Sequence, residues 1–203
     1  YVSNGEMAGT TGESKQIEAI QIILVEKIKD VSSANLSKSA ITYTSNVESL
    51  GWMGTSENGE QSGTIDMKKA MSGIKIQING ISGLSVEYST HIPNVGWQGY
   101  VSNGKESNAI GSKKQLEAIK IRLTGSQASQ YDIYYRVHSQ QYGWLGWAKN
   151  GQEAGTQGYG YRMEAIQIVL QKKGGTAPGV VGNSFMRKPT IINYSTHIEN
   201  VGW

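Results

Sequence analysis

Short runs of strict apolar–polar alternation recur along the chain. Ile74, Ile76 and Ile78 alternate with Lys75 and Gln77, Ile119, Ile121 and Leu123 with Lys120 and Arg122, and Ile166, Ile168 and Leu170 repeat the pattern. A period of two is the signature of a strand with one buried face. Val86, Tyr88 and Thr90, interleaved with Glu87 and Ser89, give a second strand type upstream of the first. Between the two lie Asn58-Gly59, Asn103-Gly104 and Asn150-Gly151, the strongest short hairpin signal. Helical patterning is weak everywhere. The pattern predicts an all-β protein.

The runs belong to a repeat, and the period sets the architecture. ITYTSNVESLGWMGTSENGEQSGT from Ile41, VEYSTHIPNVGWQGYVSNGKESNA from Val86 and IYYRVHSQQYGWLGWAKNGQEAGT from Ile133 align without gaps. Trp52, Trp97 and Trp144 fall 45 and 47 residues apart, and each precedes the Asn of its Asn-Gly turn by 6. From that Asn to Ser72, Glu117 or Glu164, which opens the last strand, is 14 residues. We therefore divide the chain into a second half-repeat at 1–27, a linker at 28–40, three whole copies at 41–80, 84–125 and 131–173, a linker at 174–190 and a first half-repeat at 191–203. The tail YSTHIENVGW and the head YVSNG together make one split copy. About four strands in each of three copies favours a β-trefoil, with a β-prism or an open β-repeat array as alternatives.

The string YDIYYRVHSQQYGWLGWAKNGQEAGTQGYGYRMEAIQIVLQKKGGTAPG, with YSTHIPNVGWQGYVSNG and its ending QLEAIKIRL, resembles the clostridial hydrophobic repeat built around a Gly-Trp, the ChW repeat. The likeness covers nearly all of the chain outside the linkers. It implies a secreted or cell-surface protein of a Gram-positive bacterium and a surface-binding or adhesive role, often beside glycan-acting enzymes. The copy at 41–80 departs most, with Asn46 for His, Thr55 for an aromatic and Ser72 for Glu.

Composition agrees. Charged residues are 17% of the chain, below the usual ~25%, and 26 glycines supply turns. The net charge of +3 is well mixed, with no basic stripe to track a phosphate backbone, so nucleic acid is a poor partner. The absence of cysteine removes disulfides and thiolate chemistry. Apolar stretches such as Ile20 to Val25 are far short of the ~20 residues of a spanning helix, and no membrane insertion is expected.

No motif implies a cofactor, a metal or catalysis. Glu18, Glu117 and Glu164 recur once per copy, and His91, His138 and His197 each sit six residues before a Trp, whereas a catalytic constellation should occur once. We read the recurrent Glu as an acceptor for backbone N–H or basic partners at a turn. The Gly-Trp indole, kept where its neighbours drift, is expected in the core rather than as a ligand platform. The position three later varies and suits a surface site, where aromatic rings stack on sugars and imidazoles bond hydroxyls. The candidate ligand-binding residues are therefore Tyr100 with His91, Trp147 with His138, and Tyr1 with His197. The expected function is non-catalytic binding of cell-wall or extracellular polysaccharide. The alternative is a structural array that self-associates head to tail through its half-repeats.

Overall fold

The computed structural model describes residues 36–108, 115–190 and Glu199. The chain divides into two compact units, Tyr1–Val31 and Ser32–Trp203, and all described residues belong to the second. The half-repeat at 1–27, with Tyr1, lies outside them, as does 191–203 with His197, apart from Glu199.

The protein is all-β. The first copy contains β1 (Ile41–Val47), β2 (Gly51–Trp52), β3 (Ser56–Glu57), β4 (Gln61–Gly63) and β5 (Met71–Ile78). The second contains β6 (Ser85–Ile92), β7 (Gly96–Trp97), β8 (Val101–Ser102), β9 (Ser107–Asn108) and β10 (Ala118–Thr124). The third contains β11 (Tyr131–Ser139), β12 (Gly143–Trp144), β13 (Ala148–Lys149), β14 (Glu153–Gln157) and β15 (Met163–Lys172), and β16 (Phe185–Arg187) follows. Each copy thus has five strands rather than four. The aromatic strand is broken in two, and both pieces pair with the opening strand, as in Asn46↔Trp52 and Tyr43↔Ser56.

In each copy the opening and last strands form the central antiparallel pair: β1 with β5, β6 with β10, β11 with β15. The fourth strand leaves its own copy and pairs with the last strand of the copy before it. β9 lies on β5, β14 on β10, and β4 on β15. The third of these pairings joins the first copy to the third, so the three copies close into a ring of three sheets.

The repeated Tyr and Asn-Gly lock the ring. The hydroxyls of Tyr43, Tyr88 and Tyr135 accept the N–H groups of Ile168, Ile76 and Ile121 in the neighbouring copy at 3.2, 3.0 and 3.0 Å. They donate to the carbonyls of Glu60, Lys105 and Gln152 in their own. Beside them Gly59, Gly104 and Gly151 donate to the carbonyls of the same three isoleucines at 2.8, 2.7 and 2.7 Å. The N–H and carbonyl of each of these three isoleucines are thereby satisfied at the copy junction, as burial requires. The alternating isoleucines fill the interior, and the fully buried Met71, Leu116 and Met163 come together where Leu116 N–H donates to Met71 and Met163 N–H to Leu116.

The segment 174–190, read from sequence as a linker, packs on the third copy. β16 adds to β14 in parallel, Trp147 N–H donates to Val180, and Gly182 N–H donates to Trp147. No helix among the described residues is long and apolar enough to cross a membrane.

Candidate binding site

The last strand of the first and third copies begins with a bulge. In the third copy His138 faces Ala165 and Ser139 faces Met163, leaving Glu164 as the extra residue, and in the first copy Ser72 is extra in the same way. A bulge re-aims the side chain it carries. In the third copy it turns the carboxylate onto the histidine of the opening strand, Glu164 Oε2 lying 2.9 Å from His138 Nδ1, and in the second copy Glu117 Oε2 lies 3.2 Å from His91 Nδ1. In the first copy Asn46 and Ser72 replace the pair, and Ser72 Oγ donates to the Asn46 carbonyl at 3.3 Å.

Each described histidine meets an indole in a T-shaped arrangement. His91 and Trp97 are 5.2 Å apart at 74°, and His138 and Trp144 are 5.4 Å apart at 82°. Against the expectation of a core residue, the Gly-Trp indoles lie outside the core: Trp52 is 36% exposed and Trp97 and Trp144 are half-buried. The aromatic buried in all three copies is instead the junction tyrosine. A cation covers each of these three indoles, Lys75 over Trp52 at 4.2 Å, Lys120 over Trp97 at 3.9 Å and Arg136 over Trp144 at 4.7 Å, the geometry of cation–π attraction. Lys75 and Lys120 stand on the last strand and Arg136 on the opening one, bonded to Gln167 at the vacated position.

Each acid–imidazole pair sits beneath a cleft walled by the next copy. The first cleft, of about 500 Å³, has His91 and Glu117 at its base, Pro93–Gly96 on one side and Gln157–Gly160 on the other. The second, of about 410 Å³, has His138 and Glu164 at its base, with Arg162, Gln140 and Gln141 beside them and Asp66 and Lys68 as the opposing wall. Glu117 is 0% and His91 5% exposed. Glu117 Oε1 accepts the N–H groups of Tyr159 and Gly160 at 3.1 and 2.8 Å. Burial pushes the Glu117 carboxyl up, but His91 and these N–H groups outweigh it and hold the group below its ordinary range. His91 Nδ1 and Glu117 Oε2 face each other without hydrogen-bond alignment, and Gln157 Oε1 is buried with no hydrogen-bond partner among the described residues. In the second cleft Arg162 Nη2 bonds Glu164 Oε1 at 2.6 Å. The recurrent Glu thus takes N–H and basic partners. Among the described residues no three His, Asp or Glu side chains come together to hold a metal ion.

The residues expected from sequence fall out differently. Tyr100 is 41% exposed and lies under the Arg122 guanidinium at 4.0 Å, itself held by Glu87 at 2.7 and 2.9 Å. Arg122 pairs with Glu87, and His91 is four residues further along that strand, about 13 Å away. Tyr100 and His91 therefore do not share a groove. Trp147, expected on the surface beside His138, is 5% exposed, because residues 179–182 pack over it while Arg136 lies 4.9 Å from its ring. A side chain at Gly179 would meet the indole nitrogen at 2.7 Å. His91 and His138 do reach a cleft, with Glu117 and Glu164 as their partners. The tyrosines at 142, 159 and 161 were missed, although GYGY has no counterpart in the other copies and that departure was the available signal.

A family model described as ChW, Clostridial hydrophobic W, matches residues 1–26, 46–80, 91–125 and 138–172, together more than half of the chain. The chain belongs to the ChW family. Each ChW match in the three whole copies starts at the position of His91 or its equivalents and ends with the last strand, so it contains the Gly-Trp, the Asn-Gly lock and the last strand. No curated protein and no solved structure matches the chain.

Proposed function

We propose that this ChW protein is a non-catalytic module of the bacterial cell surface that binds cell-wall or extracellular polysaccharide at its copy junctions. The observation that carries the reading is the pair of equivalent clefts, each with a buried carboxylate and its imidazole partner at its base. Sugar recognition needs fixed acceptors and donors for hydroxyls next to aromatic carbon, in a recess wide enough for a ring or two. Glu117, kept ionised by its N–H partners, suits an acceptor better than a proton donor to a leaving group. Two weak sites on one chain would add avidity without new contacts. Three separate sheets closed by strand exchange favour the β-prism over the β-trefoil among closed threefold forms.

Retention on purified peptidoglycan and on plant polysaccharides tests the reading. Wild-type protein should be retained, and Glu117→Gln with Glu164→Gln should weaken retention ~10-fold or more while circular dichroism stays unchanged. Failure of the wild type to bind any of these polymers, or unchanged retention by a folded double variant, would sink it.

A further inference from the structure

Between the two clefts stand three tyrosines that the repeat does not explain. Tyr159 lines the first cleft, and its ring stacks on Tyr161 at 5.2 Å and 18°. Tyr142 meets both edge-on at 6.1 and 5.9 Å, and its neighbours Gln141 and Gly143 line the second cleft. Tyr142 is 40% exposed, and Tyr159 and Tyr161 are half-buried. At the matching positions the first copy has Met67 and Lys69, so the aromatic cluster belongs to this junction and not to the repeat.

We propose that Tyr142, Tyr159 and Tyr161 form a platform joining the two clefts into one extended site for a single chain of β-linked hexopyranose rings. The inference rests on the polysaccharide reading above. Rings with equatorial substituents present C–H faces that stack on phenol rings, while their hydroxyls point sideways. A chain crossing the platform would place such hydroxyls toward Asn94, Gln157 and the His91–Glu117 pair at one end and toward Gln140, Gln141 and Arg162 at the other. A lone cleft would take a short sugar; the joined site should reward length.

Calorimetric titration with chito- and cello-oligosaccharides from two to six rings separates these cases. Wild-type affinity for at least one series should rise ~10-fold or more from disaccharide to hexasaccharide. In Tyr142→Ala with Tyr161→Ala the rise should vanish while disaccharide affinity stays within about twofold, since neither side chain lines a cleft. Tyr142→Phe with Tyr161→Phe, which keeps the rings, should retain the rise. A length dependence absent from the wild type, or preserved in a folded alanine variant, would overturn the platform but leave the clefts as short-sugar sites. If the wild type binds neither oligosaccharides nor polymers, the functional reading itself falls.

Discussion

Where the second copy meets the first and the third meets the second, a lysine of the last strand crosses to a glutamate of the incoming copy. Lys75 pairs with Glu106 at 2.7 Å and Lys120 with Glu153 at 3.1 Å. Where the first copy meets the third, Gln167 faces Gln61 instead, so both partners of the ion pair are gone together. The loss is local. Arg136 brings a cation to Trp144 from the opposite strand, and the Tyr43 and Gly59 locks are as complete as their counterparts. The wall loops differ too. Gly158 and Gly160 hold φ of 82° and 68°, whereas Asp66 and Lys68 hold the same left-handed backbone at 64° and 54° with side chains that prefer to avoid it. Ring closure thus depends on the backbone locks, and charge, wall and indole cover are exchangeable around them.

The largest effect should come from the first cleft. Glu117→Ala removes the charge facing His91 and strands two N–H groups, at a cost of about 3–5 kcal/mol. Glu164→Ala, whose partners include the solvent-touched Arg162, should cost less. Thermal unfolding checks the order, and an equal loss would mean that the two clefts are not built differently. Removing one lock, by Tyr43→Phe, Tyr88→Phe or Tyr135→Phe, leaves a buried isoleucine N–H unpaired and should cost ~1–3 kcal/mol at each junction. Markedly unequal losses by urea titration would contradict the equivalence of the three locks.

Acid and alkali probe the same contrast. The Glu117 carboxyl is held below its ordinary range, so its share of stability is present above ~4.3 and lost as pH falls through the folded value. Asp132, desolvated but bound by Asn150, Lys173 and Lys149, is lowered to about 2, so its share is lost between about pH 4 and 2. Glu117→Gln and Asp132→Asn should each flatten the acid limb of a stability–pH curve, and an unchanged limb in both would refute the assignment. Burial raises the phenols of Tyr43, Tyr88 and Tyr135, so their contribution holds below ~10 and is lost as pH rises. The smallest effects belong to the exchangeable parts. Gln61→Glu with Gln167→Lys should add only ~0–1 kcal/mol, and Lys68→Gly up to ~1 kcal/mol. A gain well beyond these by chemical denaturation would show that the third junction is weakened by what it lacks.

Much of the fold is legible in the residues. Alternation at Ile74–Ile78, Ile119–Leu123 and Ile166–Leu170 marks strands and their buried faces, because side-chain direction along a strand depends only on the count of two. Recurrence of Glu117 and Glu164 marks a shared partner at a turn. The site was read less well. Tyr100 and His91 look adjacent in the aligned repeat, yet the hairpin carries them to opposite ends of one strand. Trp52, Trp97 and Trp144 look like core because they persist, yet they persist as outward rings held by a cation and, in two copies, a histidine edge.

The sequence by itself determined the repeat, the strand periodicity and the positions of the locking Tyr and Asn-Gly, since these are properties of neighbours along the chain. Only the tertiary structure decided that each fourth strand crosses to the preceding copy, that residues 179–182 cover Trp147, and that clefts open between copies rather than within them. Those features join residues tens of positions apart, and which pairs meet depends on closing the ring and satisfying every buried backbone group at once.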